Sequence, residues 1–277
     1  MYLLIISINQ FISTQNPYFL FYSALSKFQH PSYLYMYLDW CIIALLYFLF
    51  KNIIQKYNWA FILLISFFSF YTLLLESKTG ISILSLIIIT SIIICFVLKK
   101  YKIAIITILT MLIGFIFYMQ FVPEKSNRIA LAFKSVKEQN NKQKNNTFTR
   151  FIIWENAYLI LHNNWILGKG TGDVEESLEQ AYKQINTSEL QTAIKNNFNA
   201  HNQYLQTFIA IGIIGETILL GCLFIPLYLS IIQRNYLYLC FLLLIIINLF
   251  SESMLERQAG IVFYALFNII LFKLDRQ

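Results

Sequence analysis

Two polar side chains, His201 and Asn202, stand where the asparagine-rich stretch NNFNAHN gives way to the apolar stretch QYLQTFIAIGIIG. A histidine can take a proton from a hydroxyl near neutral pH, and a neighbouring amide can orient the imidazole or the reacting hydroxyl. The alternative is that His201 is an amphipathic residue at the headgroup depth of a membrane. Helical spacing places several residues on one stripe, where the glycines allow close helix packing: His201, Tyr204, Leu205, Phe208, Gly212 and Gly215.

A second candidate is Arg150, which opens the stretch RFIIWENAYLIL. Helical spacing puts Trp154 and Tyr158 on the same face as Arg150. A guanidinium suits a phosphate group because it can donate two parallel hydrogen bonds. The sequence therefore predicts either a phosphate ligand at Arg150 or a contact with a phospholipid headgroup.

Two further cations lie in short polar stretches, Lys78 in ESKTG and Arg257 in SESMLERQAG. Lys78 would act as a point charge, or would form a surface ion pair with Glu76 that contributes little to stability. The stretch around Arg257 is either part of a site or a polar cap between two helices. His30 precedes a proline and is predicted to start a helix.

Acidic residues inside apolar runs are the remaining polar candidates. Asp39 and Glu216 would be expensive to expose to lipid, so we expect each to line a polar cleft or to pair with a neighbouring helix. No zinc-type ligand spacing occurs, and GKGTG lacks the spacing of a phosphate loop. The sequence predicts neither a metal nor a cofactor.

The composition indicates a membrane protein. Of the 277 residues, 58% are hydrophobic, 17% are aromatic and only 13% are charged. A soluble core cannot bury that much apolar surface. The four cysteines all lie in apolar runs, which favours buried thiols over a disulfide framework.

Apolar runs predict an all-α polytopic protein with about eight transmembrane helices. They lie near 3–25, 33–50, 58–75, 80–98, 101–119, 205–231, 236–250 and 259–272. We expect an N-terminal transmembrane bundle at 1–119, a loop with short helices at 120–204 and C-terminal transmembrane helices at 205–277. The first segment is expected to span the membrane or to re-enter it.

The distribution of basic residues predicts the orientation. One set of short connections, together with the C-terminus, carries eight basic residues: Lys51, Lys56, Lys99, Lys100, Lys102, Arg234, Lys273 and Arg276. The opposite short connections carry three, Lys27, Lys78 and Arg257. Because cytoplasmic loops are enriched in Lys and Arg, the first set is cytoplasmic. The long loop and the candidate site residues therefore face the periplasm.

The ordered motifs resemble those of the bacterial O-antigen ligase and polymerase superfamily. The likeness rests on HN followed by Gly212-x-x-Gly215, on Arg150-x3-Trp154 with a Gly-x-Gly turn, on ESKTG, on FQHPSYLYMYL (28–38) and on SESMLERQAG. Lys78 stands where that superfamily usually has arginine. Its members usually have more spans, so the chain is expected to be a shortened member or one truncated at its start.

The resemblance implies a glycosyltransferase of GT-C-like architecture in the bacterial inner membrane. A glycan on an undecaprenyl diphosphate donor would pass, with inversion, to an acceptor hydroxyl on a lipid A core or a related lipid or glycan. His201 would be the general base and Arg150 would bind the diphosphate. The remaining substrate-binding candidates are Lys78, Arg257, Asn202, Glu252 and Trp154. No bound metal is needed if these cations neutralise the diphosphate.

Related activities remain open. A polysaccharide polymerase or a protein O-oligosaccharyltransferase would share the same motifs and differ in the acceptor. A lipid or glycan transporter is the alternative from another class, although transporters usually carry internal repeats and midplane sites, and neither is visible here. Membrane lipids are expected partners, and nucleic acid is not.

Overall fold

The computed structural model describes residues 2–53, 55–121, 146–185, 191, 193–194 and 198–274. Within this part of the chain all regular secondary structure is helical, which confirms the predicted all-α class. The chain divides into two compact units, Met1–Leu131 and Ala132–Gln277. The basic Arg276 and part of the predicted loop at 120–204 lie outside the described residues.

The first unit consists of apolar helices. They are α1 (Tyr2–Thr14), α2 (Tyr22–Leu25), α3 (Pro31–Lys51), α4 (Asn58–Leu74), α5 (Lys78–Val97) and α6 (Tyr101–Phe121), with 3₁₀ turns at Pro17–Leu20 and Gln55–Tyr57. Helix α3 packs against α4 and α5, and α4 packs against α6. The imidazole Nδ1 of His30 accepts the Ser32 N–H at 3.3 Å, and Pro31 is the first helical residue. This confirms that His30 starts a helix.

The second unit joins the predicted loop to the last helices. It contains α7 (Asn146–Asn164), α8 (Val174–Ile185), α9 (Gln203–Ile232), α10 (Tyr236–Ser251) and α11 (Gln258–Leu274), with a 3₁₀ turn at Met254–Glu256. Glu175 and Glu176 lie in the first turn of α8, where the helix dipole favours negative charge.

Three helices in the described part are long and apolar enough to cross a membrane: α3, α5 and α9. They confirm that the segments predicted near 33–50, 80–98 and 205–231 are helical, and by length and apolar composition they are candidate spans. The predicted segments near 58–75, 101–119, 236–250 and 259–272 also form helices. Helices α1, α4, α10 and α11 are apolar but shorter. The total of about eight spans and the GT-C-like architecture stay predictions.

The segment near 3–25 is not one continuous helix, and whether it spans or re-enters the membrane stays a prediction. Helix α1 ends at Thr14, and Gln15 follows with a φ of 53°. Asn16 then caps a new 3₁₀ turn by accepting the Tyr18 N–H at 3.0 Å. Pro17 cannot donate a helical hydrogen bond, so the chain starts a separate turn. At about 1.5 Å per residue, α1 alone is shorter than the hydrocarbon core.

The acidic residues of the apolar runs are buried. Asp39 in α3 is fully buried, and neither carboxylate oxygen has a hydrogen-bond partner in the described residues. Glu216 in α9 is also buried. Glu76 is only 1% exposed and accepts a hydrogen bond from the Tyr118 hydroxyl at 3.2 Å. The alternative of a surface ion pair with Lys78 placed Glu76 at the surface, and Glu76 is buried instead.

The predicted loop forms a helical cap, which comprises α7, α8 and the first segment of α9 (residues 203–211). Its core consists of side chains from all three elements together with Ala193: Ile153, Ala157, Leu161, Val174, Leu178, Tyr182, Ile209 and Ala210. The apolar face of α8 closes this core, and its outer face carries Glu175, Glu176 and Lys183. The loop thus has an apolar core of its own.

Helix α9 breaks at Gly212, which has a φ of 64° and a ψ of −161°. The turn after α7 supplies the hydrogen-bond partners that the break removes. The Lys169 N–H donates to Ile209 O at 2.7 Å, and the Gly170 N–H donates to Ala210 O at 2.9 Å. The Ile213 N–H donates to Trp165 O at 2.8 Å. These three bonds are called the backbone clamp below.

The clamp corrects the predicted helical stripe from His201 to Gly215. Helix α9 begins only at Gln203, and Gly212 contacts the backbone of the α7 turn instead of a neighbouring helix face. Apolar periodicity cannot reveal this break, because glycine at a packed helix face and glycine at a helix break look the same in sequence.

The break turns residues 203–211 back over the end of α10. Residues 213–232 and α10 are joined by the short connection 233–235. In a continuous helix Tyr204 would lie about 45 Å from that connection, and Ile246 about 18 Å from it. Instead, the Tyr204 hydroxyl donates to Ile246 O at 3.1 Å, and its ring packs on Phe250 with the centroids 4.6 Å apart. The residues before Gln203 are thereby brought to the end of α10.

Replacing Gly212 with alanine should destabilise the second unit. The added Cβ would lie 2.1 Å from Ile166 O, and the backbone conformation is one that only glycine adopts readily. We expect a loss of roughly 1–3 kcal/mol or more, measured as a lower melting temperature in detergent. Gly221→Ala is the matched control, because its methyl group would meet only the Ile225 side chain, at 3.8 Å. Equal melting temperatures for the two variants would contradict the claim that the fold requires glycine at position 212.

Candidate functional site

His201 lies in the connection that precedes α9 and has a left-handed φ of 47°. Its N–H donates to Asn199 Oδ1 at 3.0 Å, which is a local turn closed by an asparagine side chain. The imidazole packs edge-on against the Phe198 ring, with the centroids 5.1 Å apart. Such a backbone conformation costs energy for a residue other than glycine, so its neighbours must hold it.

Three polar side chains at the start of α9 hold this connection. Asn202 is the N-cap and accepts the Leu205 N–H at 3.1 Å. Gln206 accepts the Ala200 N–H at 3.0 Å, and Gln203 accepts the Leu255 N–H at 2.7 Å. All three are buried. They tie the His201 connection both to its own helix and to the turn after α10.

Glu252, the first residue after α10, brings the two leading candidates together. Its Oε2 lies 3.1 Å from His201 Nδ1, and its Oε1 lies 3.0 Å from an Arg150 guanidinium nitrogen. The Glu252 side chain is 14% exposed. Residues from α7, from the start of α9 and from the end of α10 thus form one chain of contacts, Arg150–Glu252–His201.

This contact determines the proton arrangement of the imidazole. An ionised carboxylate only accepts hydrogen bonds, so Nδ1 must carry the proton that it donates to Glu252. In the neutral ring, Nε2 then holds the lone pair. The His201 side chain is 22% exposed. The arrangement offers a base whose orientation is fixed by a carboxylate, which is the usual design of an activated histidine.

Arg150 keeps donors for another ligand. It donates one hydrogen bond to Glu252, and its side chain is 33% exposed. A guanidinium has five N–H groups in a planar fork, so one edge can hold a carboxylate while another binds a phosphate. Arg150 is therefore fixed in place without being saturated by protein contacts in the described residues.

Trp154, one turn after Arg150, supports the His201 connection. Its indole N–H donates to Ala200 O at 3.0 Å. Arg150 and Trp154 thus share one face of α7, whereas Tyr158, which was predicted on the same face, is exposed. In this geometry Trp154 positions the residue next to His201; contact with substrate stays a prediction.

Sequence reasoning singled out neither Asn199 nor Glu256. Asn199 accepts the His201 N–H and donates from Nδ2 to Glu256 Oε2 at 3.4 Å. Although the Glu256 side chain is exposed, desolvation of its carboxyl group raises its pKa, and hydrogen bonds from Gln206 and Asn199 oppose that rise. The run of asparagines before His201 was the available signal, because asparagine side chains commonly close such turns.

The other two predicted cations, Arg257 and Lys78, lie at the ends of helical segments. Arg257 ends the 3₁₀ turn at Met254–Glu256 and is exposed. Lys78 is the first residue of α5 in the first unit and is also exposed. Among the described residues, no group of three or more His, Cys, Asp or Glu side chains is arranged to hold a metal ion.

Comparison with known proteins identifies the family. The model of the O-antigen ligase family matches residues 60–220, which is more than half of the chain. This range includes Lys78, Arg150, Trp154 and His201, whereas Glu252 and Arg257 lie beyond it. The predicted resemblance is confirmed.

One curated relative shares a long alignment with the chain. It is an uncharacterized protein of Haemophilus influenzae, 29% identical over 181 residues, which cover 61% of this chain and 44% of that protein. The chain thus spans less than half the length of this relative. No solved structure matches the chain.

The raised pKa of Glu256 predicts how stability depends on pH. The folded state holds this proton more tightly than the unfolded state, so stability falls as the pH rises from the unfolded pKa, near 4.3, through the raised pKa. Glu256→Gln keeps an oxygen for Asn199 without the charge. We expect its melting temperature to exceed that of wild type at pH 7 and to converge with it at pH 4.

Glu155→Gln, an exposed change on α7, serves as the baseline. The same difference between Glu256→Gln and wild type at both pH values would contradict this account.

Proposed function

The chain belongs to the O-antigen ligase family, and on that premise we propose that it transfers a glycan from an undecaprenyl diphosphate donor to an acceptor hydroxyl. The transfer takes place at the periplasmic face of a bacterial inner membrane. The acceptor is a lipid A core or a related lipid. The observation that carries this proposal is the Arg150–Glu252–His201 chain of contacts at the end of the apolar helix α10.

His201 is the general base of the proposed reaction. Its Nε2 takes the proton of the acceptor hydroxyl while the oxygen attacks the anomeric carbon of the donor sugar. The bond from that carbon to the diphosphate oxygen breaks on the opposite side, so the configuration inverts. The bonding electrons leave with undecaprenyl diphosphate.

Arg150 stabilises the charge of the leaving group. A diphosphate carries several negative charges at the membrane surface, where a fixed guanidinium binds it more strongly than in bulk water. The exposed edge of Arg150 is suited to this contact because its other side is held by Glu252. Protein cations in this role make a metal ion unnecessary.

Glu252 couples the two steps. In the resting protein its carboxylate is shared between Arg150 and His201, with both contacts near 3 Å. A diphosphate bound to Arg150 competes with Glu252 for the guanidinium. The carboxylate then interacts more fully with the imidazole and stabilises the imidazolium that forms on proton transfer. Donor binding therefore strengthens the contact between Glu252 and the imidazole.

The remaining predicted residues take supporting roles in the proposal. Trp154 and Asn202 keep the His201 connection in place through their contacts with Ala200 and Leu205. Exposed Arg257 and Lys78 add positive charge for the diphosphate or the glycan. Because Lys78 is a point charge, we assign it attraction of the donor and leave bidentate binding to Arg150.

The function is tested by the surface glycans of the native host after deletion of the gene and complementation. We expect wild type to restore the glycan profile and His201→Ala to fail, with at least about a 100-fold loss of transfer, because the general base is lost. His162→Ala, a change of an exposed histidine on α7, is the matched control and should restore the profile. Membrane fractions are probed to check that each variant inserts.

The glycan profile also separates the related activities. Long chains that accumulate on the lipid carrier and disappear from the surface indicate a ligase. Single repeat units at the surface indicate a polymerase, and loss of glycan from proteins alone indicates a protein O-oligosaccharyltransferase. An unchanged profile after deletion, or full complementation by His201→Ala, would contradict the proposed function. Donor retained on the cytoplasmic face would instead favour a transporter.

A further inference from the structure

We propose that the helical cap is anchored on the lipid surface by an anchor patch. The patch consists of exposed side chains on the outer face of α7 and in the turn after it: Tyr158, Leu159, Trp165, Ile166 and Leu167. This interaction surface does not depend on the catalytic roles proposed above. Its partner is the lipid bilayer that the candidate spans cross.

The anchor patch is too apolar for a surface that faces only water. Trp165 is 55% exposed and Leu167 is 72% exposed, and the other members are comparably open. Five large apolar or aromatic side chains are thus exposed within the ten residues 158–167, and monomeric soluble surfaces rarely concentrate exposed apolar side chains in this way without a function. The cap core already has its own residues, so these side chains do not contribute to it.

Continuity with a membrane span identifies the partner. Trp165 O accepts the N–H of Ile213, the first residue after the break in candidate span α9. Ile214 and Ile218, which follow in the same helix, are 51% and 62% exposed. The anchor patch and the exposed side of the span are thus adjacent in space, at the hydrogen bond between Trp165 and Ile213. A lipid surface that contacts Ile214 must also lie close to Trp165.

The residue types agree with an interfacial position. Tryptophan and tyrosine are enriched where hydrocarbon meets headgroups, and lysine can extend its ammonium group to a phosphate while its stem stays in apolar surroundings. Lys169 follows the patch and is exposed. The outer face of α8 shows the opposite composition, with exposed Glu175, Glu176 and Lys183. The cap therefore has one side for lipid and another for water.

Anchoring would also set the depth of the candidate site. The backbone clamp joins the turn that carries Trp165 to α9, whose first residues hold the His201 connection. A patch at headgroup depth keeps the Arg150–Glu252–His201 chain beside the membrane surface, where a lipid-linked diphosphate lies.

The test uses tryptophan fluorescence of the full chain in phosphatidylcholine and phosphatidylglycerol vesicles. The lipids carry bromine either near the headgroup or near the end of the acyl chain. The difference between wild type and Trp165→Phe isolates the Trp165 emission. Trp154→Phe is the matched control, because that indole is half-buried and donates to Ala200 O. The substitution at 165 leaves the backbone carbonyl of the clamp in place.

We expect the Trp165 emission to lose most of its intensity with the shallow bromine and less with the deep one. The Trp154 emission should change little with either lipid. Trp165 emission that is quenched by aqueous iodide and not by brominated lipid would overturn the proposal. Stronger quenching by the deep bromine would overturn it too, since it would place the turn inside the hydrocarbon. The substitution Leu167→Trp in the Trp165→Phe background repeats the test independently. Its tryptophan should also be quenched more by the shallow bromine than by the deep one.

Discussion

The backbone clamp at Gly212 is the constraint on which the rest of the second unit depends. A helix that breaks near a membrane leaves N–H and C=O groups without partners, and each such group is costly away from water. The turn after α7 supplies the missing partners through Trp165, Lys169 and Gly170. The same three bonds fix α7 against α9 and turn the start of α9 back over α10. Arg150, on α7, and His201, before α9, are brought together by this arrangement.

The electrostatics of the candidate site follow from that arrangement. A carboxylate that is 14% exposed would be costly alone, but Glu252 has a guanidinium on one oxygen and an imidazole on the other. Removal of either partner leaves the charge less compensated, so the three side chains must act together. Glu256, one turn further along, supports Asn199 and through it the His201 backbone. The two glutamates of one short stretch thus have different tasks.

Apolar periodicity predicted most of the helices to within a few residues, because a run that must face lipid or core is readable from local pattern. Residue chemistry and the family resemblance selected Arg150, His201 and Glu252, and the distribution of basic residues predicted one side of the membrane for all three. Periodicity could not predict the break at Gly212 or the left-handed backbone of His201, because one residue with unusual φ and ψ angles does not change the apolar pattern around it. The Arg150–Glu252 contact joins residues 102 positions apart in the sequence. Knowing that two residues face the same side of the membrane does not show which side chains contact each other. The indole N–H of Trp154 donates to Ala200 O, a backbone carbonyl. Residue types do not reveal a backbone acceptor, so the sequence predicted a substrate contact for Trp154 instead.

The central claim is that Glu252 and His201 work as one unit, and a double-mutant cycle tests it most directly. Initial rates of glycan transfer are measured in reconstituted vesicles for wild type, Glu252→Gln, His201→Ala and the double variant. If Glu252 acts through the imidazole, it has nothing left to orient once His201 is gone. The double variant should then be no slower than His201→Ala alone. Losses that multiply, so that the double variant is slower by the full Glu252→Gln factor, would contradict the account and give Glu252 a separate role.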